Sequence, residues 1–99
     1  MDRLIEFSQR SVSQLQRILT FYDERNQSDA YSRRLMRCLL TDLEQVAQMP
    51  TIGHPSTLPD VRFLYVMGFT VIYRYSLQCI RVLSIRSSIR KPLKLYCKK

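Results

Sequence analysis

The residues best suited to chemistry in this sequence are arginines, and their placement is one-sided. After Asp60 the chain carries nine basic residues and no Asp or Glu: Arg62, Arg74, Arg81, Arg86, Arg90, Lys91, Lys94, Lys98 and Lys99. A guanidinium presents its N–H groups as a planar fork that matches a phosphate or a carboxylate. Arg62, Arg74 and Arg81 lie inside apolar runs, where a charge is costly unless it is directed at something. Arg74, Arg81, Arg86, Arg90, Lys91 and Lys94 are therefore candidates for binding an anionic target or nucleic acid. RNA cleavage through the 2′-hydroxyl would need a base, an acid and a cation on the scissile phosphate. Arg62, Arg74, Arg81, Arg86 and Arg90 could supply the cation, but an arginine stays protonated and is a poor base, so Tyr96 or a lysine would have to help move the proton.

Other reactive side chains point to little chemistry. His54 is the one histidine. It sits between Gly53 and Pro55 with no second ligand or carboxylate pair beside it, and reads as a solvated loop residue. Asp60 reads as a turn residue, and Tyr65, Tyr73 and Tyr75 as packing residues on strands. Cys38, Cys79 and Cys97 show no metal-ligand spacing and read as reduced thiols. No P-loop, dinucleotide fingerprint, zinc motif or nucleophile elbow is present, so no cofactor and no metal are expected.

The 99 residues suffice for one domain with one modest core. Residues 1–60 hold seven basic and eight acidic groups, so the formal charge of +8 comes from the last third. That field suits a polyanion or an acidic protein. No apolar run approaches the ~20 residues that span a bilayer. The start, Met1-Asp2-Arg3-Leu4-Ile5-Glu6, does not resemble a signal peptide. A cytoplasmic protein with no membrane partner is expected by default.

The elements that must carry these residues follow from periodicity. Residues 3–7 suggest a short strand. Ser8 can cap a helix whose apolar stripe is Val12, Leu15, Ile18, Leu19 and Tyr22. Ser28 is the expected cap of a second helix, with Asp29 in its first turn and Leu35, Met36, Leu39, Leu40, Leu43, Val46 and Ala47 inward. Pro50 stops it. Three prolines and a glycine make residues 50–60 a loop. Runs 61–67, 69–75 and 79–85, rich in Val, Ile, Tyr and Phe and separated by tight turns, predict a three-stranded antiparallel meander. The whole is an α+β domain over residues 1–99, with the helical hairpin on one sheet face, the other face free for a partner and a basic tail at 86–99. Simple alternation would place Arg81 with Leu83 and Ile85 on one face and Arg86 on the other.

Pro50-x-x-Gly53, Val61-Arg62-x-Leu64, Phe69-x-Val71-Ile72-Tyr73-Arg74 and Ile80-x-Val82-Leu83-x-Ile85, in that order, resemble toxins of the RelE/ParE superfamily from about residue 3 to residue 90. The resemblance implies the toxin of a type II toxin–antitoxin pair, neutralised by an antitoxin segment wrapped around it. It leaves two targets. ParE-like members poison DNA gyrase; RelE-like members enter the ribosome and cut mRNA. Val-Arg-x-Leu and Ile-Tyr-Arg are slightly closer to ParE. Many relatives carry a histidine just after the last strand. Here Ser87 stands in its place, and Tyr96 matches the C-terminal tyrosine of some ribosome-dependent members only at altered spacing. A third reading is a non-toxic basic nucleic-acid-binding domain of the same fold. From charge alone, the antitoxin should be acidic, and residues 81–99 should be where target and antitoxin compete.

Overall fold

The computed structural model describes residues 3–88. Strand β1 (Leu4–Phe7) is followed by helices α1 (Gln9–Asn26) and α2 (Ala30–Gln48), and a single 3-10 turn spans Pro50–Ile52. Strands β2 (His54–Pro55), β3 (Val61–Val66), β4 (Phe69–Tyr75) and β5 (Cys79–Ser87) complete the chain. The expected meander is present as β3-β4-β5, all antiparallel. Two strands extend it to five, in the order β1-β5-β4-β3-β2. β1 joins the far side of β5 in parallel, with Ile5 opposite Ile80, and β2 pairs with β3 through His54–Phe63 and Pro55–Arg62. The segment read as a loop thus contains a helical turn and a two-residue edge strand.

Local chemistry explains each element. Ser8 accepts the Ser11 N–H at 3.1 Å and opens α1. The second helix is capped one residue later than expected, at Asp29, which makes no side-chain cap bond. Ser28 instead accepts the Ala30 N–H at 3.1 Å, and Asp29 pairs with Arg33 one turn on. Between the helices Gln27 adopts the left-handed conformation. Met67 and Gly68, both at positive φ, form the two-residue β3–β4 hairpin loop, matching the natural twist of paired strands.

Both helices cover one face of the sheet. Leu35, Leu39, Leu43, Val46 and Ala47 of α2 and Leu15 of α1 pack against Val66, Phe69, Val71, Tyr73, Ile80, Val82 and Ile85. Burying each large aliphatic contributes roughly 1.5–3 kcal/mol. Two residues read as inward are largely outside: Val12 and Leu40 are exposed.

The register of β5 corrects the alternation. Tyr73 faces Val82 and the adjacent Ile72 faces Ser84, so Leu83 is an extra residue with no partner of its own. This bulge resets the alternation. Arg81 lies on the face opposite Ile85, and Arg86 joins Arg81 on the helix-free side.

Candidate binding face

The helix-free face is ordered in rows across the strands. Glu6, Arg81, Arg74 and Val61 stand in register over β1, β5, β4 and β3. Ser84, Ile72, Phe63 and His54 form the next row, and Arg86, Thr70 and Tyr65 the third. The structure therefore brings Arg74, Arg81 and Arg86 to one surface. Arg74 Nε lies 3.3 Å from Asp60 Oδ2, and Arg81 Nη1 lies 3.2 Å from Glu6 Oε1. All four of these side chains are about half exposed, and each pair adds little stability in water. Arg86 is exposed and has no ion-pair partner among the described residues.

Arg62 is not part of this surface. It stands opposite the fully buried Tyr73, on the helix side of β3. Its Nη1 donates to the Gly53 carbonyl at 2.8 Å and the Thr51 carbonyl at 3.2 Å, while its Nε is buried without a partner. The Tyr73 hydroxyl donates to the Pro50 carbonyl at 2.6 Å and accepts the Gly53 N–H at 3.2 Å. Burial pushes the Tyr73 hydroxyl up from its ordinary pKa of 10.0, against the opposing pull of the Gly53 N–H and the Arg62 charge. Arg62 and Tyr73 thus hold the chain that leads into β2. Arg90, Lys91, Lys94 and Tyr96 lie outside the described residues.

An aromatic cluster escaped the reading of the sequence. His54 stacks on Phe63 with ring centroids 5.2 Å apart and planes at 28°, and lies 5.3 Å from Tyr65. Phe63 and Tyr65 meet edge to face at 5.7 Å. Their i, i+2 spacing does predict a shared face. The place of His54 depends on a two-residue strand containing a proline, which no periodicity announces.

A second feature flanks Arg86. An open groove of about 490 Å³ runs between α1 and the ends of β4 and β5, with Ile18, Phe21, Phe69 and Ile85 among its apolar walls and Arg17 and Arg86 at its lining. Phe21 is 52 % exposed there. Along the edge of β5, Gln14 Oε1 accepts the Ile85 N–H at 2.7 Å and the Ser84 hydroxyl at 3.1 Å. Beside β1, Cys79 is half-buried, and burial and Glu6 raise its thiol pKa against the opposing pull of Arg81, which disfavours the thiolate. No described helix is long and apolar enough to cross a membrane.

Known proteins share this architecture. A chain of the chromosomal ParDE toxin–antitoxin system from P. aeruginosa superposes with a TM-score of 0.72 at 18 % identity, over 88 % of this chain and 97 % of that one. A chain of the E. coli DinJ–YafQ toxin–antitoxin complex superposes with a TM-score of 0.52 at 15 % identity, over 88 % and 93 %. At these identities the likeness is one of fold. Among curated proteins none matches the sequence. The family model described as the ParE toxin of the type II toxin–antitoxin system parDE matches residues 5–92, from within β1 to beyond the end of β5. With that match over the same strands and helical hairpin, the chain belongs to the ParE toxin family of type II toxin–antitoxin systems.

Proposed function

We propose that this toxin stops growth by binding DNA gyrase rather than by cutting RNA, and that an acidic antitoxin neutralises it. The observation that carries the choice of target is the arginine face itself. Beside Arg86 stands Ser87, where the resemblance would put a histidine. His54 is on the same face but three strands away, roughly 14 Å at the spacing of paired strands, and packed against Phe63. A base must reach its proton within hydrogen-bonding distance. The face can grip an anion, but it sets no histidine beside Arg86, and Tyr65 stands two strands away, roughly 10 Å at backbone level.

The groove beside α1 supports the antitoxin reading. An acidic amphipathic segment would place an apolar side chain against Phe21, Ile18 and Phe69 and a carboxylate on Arg17 or Arg86. Occupied in this way, the groove would cover Arg86 and so couple neutralisation to loss of target binding.

Purified chain is expected to inhibit gyrase supercoiling, with relief by the antitoxin, while transcripts in arrested cells remain uncut. Mapped cleavage within codons together with normal supercoiling would overturn this reading in favour of a ribosome-dependent nuclease.

A further inference from the structure

We propose that the helix-free face is a binding site for single-stranded nucleic acid, with bases on the Tyr65 and His54–Phe63 rings and phosphates on Arg86 and on the Arg74–Arg81 pair. This goes beyond the gyrase reading, because the contact is with the polynucleotide itself and needs no gyrase.

Two arrangements on the face ask for such a ligand. The first is the direct opposition of Arg74 and Arg81 on neighbouring strands. Like charges facing each other across a ladder are destabilising. Asp60 and Glu6 hold each guanidinium from its outer side, through one nitrogen apiece. The remaining N–H groups are left for an anion between them, and a phosphate accepts several such donors at once. The second is the ring cluster. Tyr65 is 59 % exposed, and His54 lies open beside it. Exposed rings held at fixed angles on a sheet can take a base face, which is sequence-tolerant because every base has one. Thr70 links the two arrangements: it stands in register between Tyr65 and Arg86, so ring and guanidinium lie two strands apart, roughly 10 Å at backbone level. An extended arginine spans much of that distance, and one nucleotide could stack on the ring while its phosphate meets the guanidinium. Along β4, Arg74 lies four residues from Thr70, roughly 13 Å, which separates the two cationic points, and the rings flank them on β3 and β2. An acidic polypeptide would satisfy the arginines and leave the ring faces without a planar partner.

The test must separate this face from the general attraction of a basic chain. Labelled short single strands of mixed sequence, one DNA and one RNA, are titrated with the full chain by fluorescence anisotropy. Tyr65→Ala keeps every charge and removes an exposed side chain, so folding, checked by circular dichroism, should survive. It is expected to weaken binding about five-fold or more, with Tyr65→Phe restoring it. Arg86→Gln should weaken binding and lower the salt slope by about one. Thr70→Glu, which sets a carboxylate between the two groups, should weaken it further. The DNA and RNA arms show which strand is the natural source. Equal affinity of wild type and Tyr65→Ala would overturn the proposal, as would binding of duplex as tight as that of single strands. Polyglutamate binding that depends on Tyr65 while the oligonucleotides do not bind would assign the face to an acidic protein instead. Supercoiling assays on the same variants keep the readings apart. Tyr65→Ala that loses the oligonucleotide but still inhibits gyrase leaves the gyrase reading standing. Wild type that binds the strand and spares gyrase overturns only the gyrase reading.

Discussion

At the level of single residues, Tyr73 carries the most responsibility for the site without touching it. It is fully buried, and its hydroxyl serves the Pro50 carbonyl and the Gly53 N–H together. Tyr73→Phe would leave both backbone groups without that partner, and the expected cost is roughly 1–3 kcal/mol, read as a shift in urea midpoint. Gly53→Ala should be comparably damaging, because an added Cβ would meet the Tyr73 hydroxyl and ring. The hydroxyl also fixes a pH dependence. Its folded pKa is raised above the ordinary 10.0, so the folded chain holds the proton more tightly than the unfolded one. That contribution is whole below pH 10 and is lost as pH rises toward the folded pKa. Tyr31, raised by burial and by Tyr22, adds a slope of the same sign. Melting temperatures between pH 9 and 11 should therefore fall in the wild type and fall less steeply in Tyr73→Phe. Identical slopes would mean that the hydroxyl is not buried as described.

At the level of elements, Ser8 joins two of them. Its hydroxyl caps α1 and also donates to the Leu83 carbonyl at 3.1 Å, at the bulge that aligns Arg81 with Arg86. Ser8→Ala is expected to cost about 1–2 kcal/mol in chemical denaturation. Ser28→Ala, one residue before the N-cap of α2 and bonded only to the exposed Ala30 N–H, should cost less than about 0.5 kcal/mol. Equal costs would contradict the capping assigned here. The same elements show what was legible in the sequence. Both helices and the meander could be read because each buries one stripe, at a period of 3.6 or of 2. The parallel β1–β5 pairing joins residues some 75 positions apart, and nothing local encodes it. The bulge was hidden because Val82-Leu83-Ser84-Ile85 fits alternation in either phase, which is why Arg81 and Arg86 were expected on opposite faces. Arg62 reads like the other strand arginines. Only the carbonyls of Thr51 and Gly53 reveal that it is turned inward to hold a loop.

At the level of the molecule, charge divides the chain more sharply than fold does. Residues 1–60 sum to −1, and residues 61–99 carry nine positive charges with no acidic group. Acidic residues from the first part come forward to hold two of the strand arginines, Glu6 on Arg81 and Asp60 on Arg74. Arg86 and the basic residues after it in sequence have no acidic neighbour along the chain. A field of this kind acts mainly on encounter: it steers an acidic partner, and ions screen it over about 10 Å at 0.1 M salt. The groove beside α1, by contrast, would hold its partner by apolar burial, which salt does not weaken. The two contributions can therefore be separated. Replacing Arg86, Arg90 and Lys91 together by Ala should slow antitoxin association about tenfold at low salt and flatten its salt dependence. Phe21→Ala should speed dissociation and leave the salt dependence as it was. Stopped-flow association and dissociation rates across a salt series would check both. If the triple variant kept wild-type toxicity and bound the antitoxin at the wild-type rate at every salt concentration, the positive charge of the last third would be a solubility feature, and recognition would belong to the groove alone.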